Sequence, residues 1–155
     1  MWIELPLPWV VTLNVLGWPV IQITLAWAWT RIPATCLRPT AVLAFESGGH
    51  FYQRAFRIRS WKDRLPDGAS WLSGGFAKAR MQEHSPQYIQ RFIRETWRGE
   101  LCHWSALLFI PLFMAWNPWW ADLVMIAYAL IANLPCILVQ RFNRARMQQS
   151  LDRLS

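Results

Sequence analysis

Glu100 and His103 stand three residues apart in the stretch Glu95-Thr96-Trp97-Arg98-Gly99-Glu100-Leu101-Cys102-His103-Trp104. On a helix that spacing puts both side chains on one face. A carboxylate beside an imidazole fixes its tautomer and raises its basicity, which is what a general base needs to take a proton from a hydroxyl. An interfacial histidine merely satisfied by the neighbouring carboxylate would show the same pair. The chain continues from here into an apolar run, and ionisable groups at membrane depth need partners or a task.

A second polar cluster comprises Asn133, Pro135, Gln140, Arg141, Asn143 and Arg144. Asn133, Gln140 and Arg144 share one helical stripe, with Asn133 about two turns, on the order of 10 Å, deeper than Gln140. Pro135 cannot donate to the carbonyl of Ile131, which leaves an acceptor beside Asn133. A polar seam that holds helices together is the alternative to a binding role.

Metal and covalent chemistry find no support. His50, His84 and His103 are isolated, and Glu100-x-x-His103 occurs once, where a di-iron bundle site needs two such units. There is no Gly-rich phosphate loop and no Gly-x-Ser-x-Gly elbow. Cys36, Cys102 and Cys136 fit neither a metal knuckle nor a disulfide framework and read as reduced apolar residues. No metal and no cofactor is expected, and direct transfer is the economical mechanism.

The elements that position these residues are legible in the cations. All sixteen Lys and Arg fall within Arg31–Arg98 and Arg141–Arg153, and the cation-free stretches hold the apolar runs. Bilayer-spanning helices exclude charge, and Lys and Arg collect on the cytoplasmic side. The expectation is an all-α membrane protein forming one domain, with about three transmembrane helices at 9–29, 101–116 and 121–139. A cytoplasmic amphipathic interfacial region spans 31–99, and a cytoplasmic tail spans 141–155. The protein then sits in the cell (inner) membrane, multi-pass, N-terminus outside and C-terminus cytoplasmic. The run at 101–116 is short for a span, Asn117-Pro118 turns the chain, and Pro19 should kink the first helix. The run at 9–29 has no cationic n-region and is too long for a signal peptide. Many of the twelve tryptophans lie at span ends, where indoles anchor.

Within the cytoplasmic region, Ser85-Pro86 starts a helix. Ile89, Phe92, Ile93, Thr96 and Trp97 then recur on one face, with Gln90, Arg91, Arg94 and Arg98 opposite. Leu65-Pro66-Asp67-Gly68 reads as a turn, which by itself explains Asp67. Glu46–Arg59 is ambiguous: Ser47-Gly48-Gly49 turning a hairpin, or His50–Phe56 helical. A net charge of +7 suits anionic lipid or phosphate-bearing substrates, and nucleic acid is not expected as a partner.

Five blocks carry a family resemblance. They are Thr30-Arg31-Ile32-Pro33, then Phe56-Arg57-Ile58-Arg59-Ser60-Trp61-Lys62 with Asp67-Gly68, then Glu95 to Trp104. Tyr128 to Pro135 and Val139 to Arg146 complete the set. Over roughly residues 30–150 the chain resembles the glycosyl-4,4'-diaponeurosporenoate acyltransferase family, which esterifies a sugar hydroxyl of a glycosylated carotenoid with a fatty acyl chain. The resemblance implies acyl transfer from acyl-CoA or acyl-carrier protein to a glycosylated lipid at the cytoplasmic surface, among membrane lipids. Such a reaction needs a base, oxyanion donors and a grip on the carrier. His103 is the expected base and Glu100 its orienter. Asn133, Gln140 and Asn143 are candidate oxyanion or sugar contacts. Arg31, Arg57, Arg59, Lys62, Arg141 and Arg144 are candidates to hold phosphate. The alternative is a non-catalytic small subunit packed within a larger membrane protein complex.

Overall fold

The computed structural model describes residues 2–65, 75–76 and 83–154, and every regular element among them is helical. Helix α1 spans Leu7–Thr30, α2 His50–Phe56, α3 Pro86–Leu107, α4 Ile110–Phe113 and α5 Trp119–Asp152. Helices α1 and α5 are long and apolar enough to cross a membrane. Both run unbroken past an internal proline, Pro19 in α1 and Pro135 in α5. Their outward faces carry large apolar side chains, among them Val15, Val20 and Ile23 on α1 and Val124, Ile131 and Leu134 on α5. That polarity is the inverse of a helix facing water and matches helices that face lipid.

The segment expected as a span at 101–116 is not one continuous helix. Helix α3 ends at Leu107, and the chain bends before the single turn α4. Pro111, in the first turn of α4, has no N–H to continue the ladder of α3. This segment is therefore the end of α3, a bend and one helical turn. Among the described residues two helices, α1 and α5, are both long and apolar enough to cross a membrane. The bend is held from below, where Phe113 packs 5.6 Å from Trp18 and 5.4 Å from Trp116, centroid to centroid. An amide pair closes the far end, Asn14 Nδ2 donating to Asn117 Oδ1 at 2.8 Å.

Helix α3 begins as its sequence dictates. Ser85 Oγ accepts from the Tyr88 amide at 3.3 Å, Pro86 occupies the first turn, and Ile89, Phe92, Ile93 and Thr96 are buried. Arg98, expected on the polar face, is buried as well. It pairs with Glu95 at 3.2 Å and donates to the Ile32 carbonyl at 2.6 Å, tying α3 to the chain leaving α1.

The ambiguous stretch resolves as helix α2, preceded by a 3-10 segment over Ala44–Gly49. Gly48 and Gly49 adopt φ of +63° and +75°, the left-handed region that glycine enters at no steric cost. At Gly49 a Cβ would also stand 2.8 Å from Phe142 Cδ2, so this turn can seat against α5 only as glycine. Past α2, Arg57 takes φ of +49° and reverses the chain, which delivers Ile58 into a core with Tyr52 and Phe142. The turn expected at Leu65-Pro66-Asp67-Gly68 lies outside the described residues beyond Leu65.

Candidate active site between helices α3 and α5

Two polar centres lie along the seam between α3 and α5. The outer one is a set of four charges. Arg141 Nε donates to Glu100 Oε1 at 2.7 Å, and Arg141 Nη1 reaches Glu46 Oε1 at 3.3 Å. Arg144 Nη1 lies 2.7 Å from Glu100 Oε2, an ion-pair contact off the straight hydrogen-bond direction, and Arg144 Nη2 donates to Thr40 Oγ1 at 3.2 Å. Trp97 covers the Arg144 guanidinium at 5.2 Å, and Trp104 Nε1 donates to Glu100 Oε1 at 3.3 Å. Glu100 is wholly buried, and Glu46 and Arg144 nearly so. Two carboxylates thus balance two guanidiniums, which is how charges are tolerated away from water.

Tyr52 completes this centre by donating its hydroxyl to Glu46 Oε1, while Glu46 Oε2 accepts from the Leu43 amide at 2.9 Å. Burial first, then the hydrogen bond to Glu46 and its charge, push the Tyr52 phenol up to about 12, with Arg141 opposing. The hydroxyl is a fixed donor at any physiological pH.

The inner centre holds His103. Its Nδ1 is 2.9 Å from Asn133 Oδ1, and Gln22 of α1 donates to the same oxygen at 3.2 Å. Asn133 Nδ2 donates to the Ala129 carbonyl at 2.8 Å, which fixes the amide with its oxygen toward the imidazole. An amide oxygen only accepts, so Nδ1 carries the proton. In the neutral ring the lone pair then resides on Nε2.

The structure brings together Glu100, Arg141 and Arg144 in one centre and His103 with Asn133 in the other. The expected orienter is corrected on the Nδ1 side, where the ring is held by Asn133. Both oxygens of Glu100 face cations or the Trp104 indole, because a full positive charge outcompetes a neutral imidazole for a buried carboxylate. Gln140, the residue before Arg141, packs over Gly99, where a Cβ would come 3.0 Å from its Cδ and Nε2. Its Oε1 is buried without a hydrogen-bond partner among the described residues. Asn143 is half-buried on α5.

The remaining cations lie elsewhere. Arg31 is exposed and stacks on Trp27 at 4.8 Å, Arg57 forms the turn after α2, Arg59 is exposed, and Lys62 pairs with Asp63. Asp67 falls outside the described residues. Among those described, no three His, Cys, Asp or Glu side chains are grouped to hold a metal ion.

Sequence reasoning missed Glu46, Tyr52 and Gln22. Glu46 stands as the only acid between Glu4 and Asp63 in a strongly cationic stretch, a signal that a buried countercharge is required. Gln22 is an amide inside an apolar run, the same cue that marks Asn133.

A sequence model of the glycosyl-4,4'-diaponeurosporenoate acyltransferase family matches residues 33–153. The curated glycosyl-4,4'-diaponeurosporenoate acyltransferases of Staphylococcus aureus strains USA300 and NCTC 8325 / PS 47 are each 33% identical over 138 residues, covering 86% of this chain and 83% of theirs. No solved structure matches. With that match running through both polar centres, the chain belongs to the glycosyl-4,4'-diaponeurosporenoate acyltransferase family.

Proposed function

We propose that this protein is a membrane O-acyltransferase that moves a fatty acyl group from a thioester to a sugar hydroxyl of a glycosylated carotenoid or related glycolipid. Family membership supports the reaction class. The observation that carries the mechanism is the His103 tautomer: an Nδ1 proton held by Asn133 presents Nε2 as the base.

In the proposed reaction Nε2 takes the sugar hydroxyl proton as the oxygen attacks the thioester carbonyl. The tetrahedral oxyanion collapses, the C–S bond breaks, and the thiolate leaves with the proton from the imidazolium. The products are an ester and a free thiol. Gln140 is the candidate contact for the sugar or the oxyanion. Its unmatched buried oxygen would gain a donor from a bound hydroxyl, relieving about 1–3 kcal/mol. Glu100 acts on binding and architecture by holding Arg141 and Arg144, and touches no reacting atom.

In this reading α1 and α5 cross the membrane, the chain returns between them through the inner part of α3, the bend and α4, the N-terminus is outside and the cationic layer is cytoplasmic. Single cysteines at Glu4, Trp119 and Leu154 in a cysteine-free background test the arrangement with an impermeant thiol reagent on intact cells. Labelling is expected at the first two positions, and labelling at Leu154 contradicts the orientation.

The activity is tested in membranes carrying the protein, given a glycosylated carotenoid and acyl-CoA labelled in the acyl chain. Alkali-labile label on the glycolipid is expected. Label that stays in the thioester, or enters the lipid equally without the protein, contradicts the reading.

A further inference from the structure

Beside Arg144, on the cytoplasmic flank of the seam, runs an open groove of about 480 Å³ between the segment 39–42, α3 and α5. Ile93, Val42 and Leu151 give it apolar walls, while Thr40, Arg94 and Arg144 give it polar ones. We propose that this groove seats the phosphate end of a phosphopantetheine thioester, with Arg94 as the phosphate contact. The inference rests on the acyltransferase reading above and names where the donor binds.

The distribution of paired charge selects Arg94. Arg98 is committed to Glu95, Arg141 to Glu46 and Glu100, and Arg144 to Glu100. Drawing Arg141 or Arg144 onto a phosphate would leave the two buried carboxylates one counter-charge short. Arg94 makes no ion pair or hydrogen bond among the described residues, and it stands half-buried on the groove wall. A guanidinium so placed has its donors available for phosphate in fork geometry.

Position along the fold agrees. Arg144 on the groove wall and Asn133, which holds the His103 ring, share one stripe of α5 eleven residues apart, or about 16 Å along the axis. An extended pantetheine arm is of that order. An arm running from the groove along α5 toward Asn133 would span that distance, and apolar walls suit an arm of methyl, methylene and amide groups. Coenzyme A and a carrier protein both present this phosphopantetheine group.

The test uses full-length His103→Ala protein in detergent, so that binding is read without turnover and independently of the base assignment. Equilibrium binding is measured for coenzyme A, 4'-phosphopantetheine, pantetheine and holo- against apo-carrier protein. Phosphopantetheine is expected to bind about 10- to 100-fold more tightly than pantetheine, the worth of charge-assisted hydrogen bonds. Arg94→Gln should abolish that difference, while Arg91→Gln, about one turn earlier on the exposed side of α3, should preserve it. Preference for coenzyme A or for holo-carrier protein, lost in Arg94→Gln, identifies the source and supports the site. Equal binding of pantetheine and phosphopantetheine, or an unchanged preference in Arg94→Gln, overturns it. Full competition by inorganic phosphate at matched concentration also overturns it, since the arm would then contribute nothing.

Discussion

His103 of α3 and Asn133 of α5 meet with Nδ1 2.9 Å from Oδ1, and the amide that orients the imidazole is itself oriented by the Ala129 carbonyl. The interaction joins two helices and sets which nitrogen is basic. It therefore connects helix packing to chemistry in one contact.

Asn133→Asp should change the pH dependence of turnover. A carboxylate facing Nδ1 favours the imidazolium and raises the His103 pKa. Because the base must be deprotonated, the acid limb of the kcat/KM profile moves to higher pH. Asn133→Ala should instead lower kcat with little change in KM, since the ring loses its orienter and not its substrate contacts. The profile of kcat/KM against pH for both variants checks this, and an acid limb that stays in place in Asn133→Asp counts against the pairing.

Glu100→Gln should be severely destabilising. It leaves Arg141 with Glu46 alone and removes the carboxylate that neutralises Arg144, a loss of about 3–5 kcal/mol for a broken buried pair. Thermal unfolding in detergent, followed by scanning fluorimetry, should show a large drop in Tm. An unchanged Tm would mean that water screens the four charges.

Tyr52 should ionise late. Its phenol is pushed up to about 12 from an ordinary value of 10, so the folded state holds this proton after the unfolded chain has released it. The stability it contributes is complete below pH 10 and is lost as pH rises through about 12. Alkaline titration of phenolate absorbance should show a late phase, and Tyr52→Phe should remove that phase.

Gly49→Ala should loosen the 44–49 segment from α5. The left-handed φ alone costs about 1–2 kcal/mol with a side chain, and the added methyl meets the Phe142 ring. Lower Tm, with hydrogen exchange rising first in residues 44–52, is the expected signature. Wild-type exchange there would show that the turn accommodates the methyl.

Legibility in the sequence followed the range of the interactions. Helices α1 and α5 announce themselves by cation-free apolar runs, and α3 by a proline-started amphipathic repeat, because those signals are local. The bend after Leu107 was legible only as a span too short. His103, Glu100 and Asn133 stood out as polar groups at membrane depth, but spacing on one helix paired Glu100 with His103. The actual Glu100 partners, Arg141 and Arg144, come from more than forty residues away, and Glu46 reaches Arg141 from 95 residues away. No periodicity encodes such contacts; buried charge balance does, once the helices are packed. The same balance explains why Arg141 and Arg144 hold carboxylates while Arg94 faces an open groove.

The most direct measurement is the acyl-transfer rate of His103→Ala and His103→Gln in membranes, with labelled acyl-CoA, glycosylated carotenoid and protein levels matched by immunoblot. Loss of a positioned base predicts turnover lower by roughly 10²–10⁴, with donor binding retained. Transfer at the parent rate in either variant would contradict the assignment of His103 as the base.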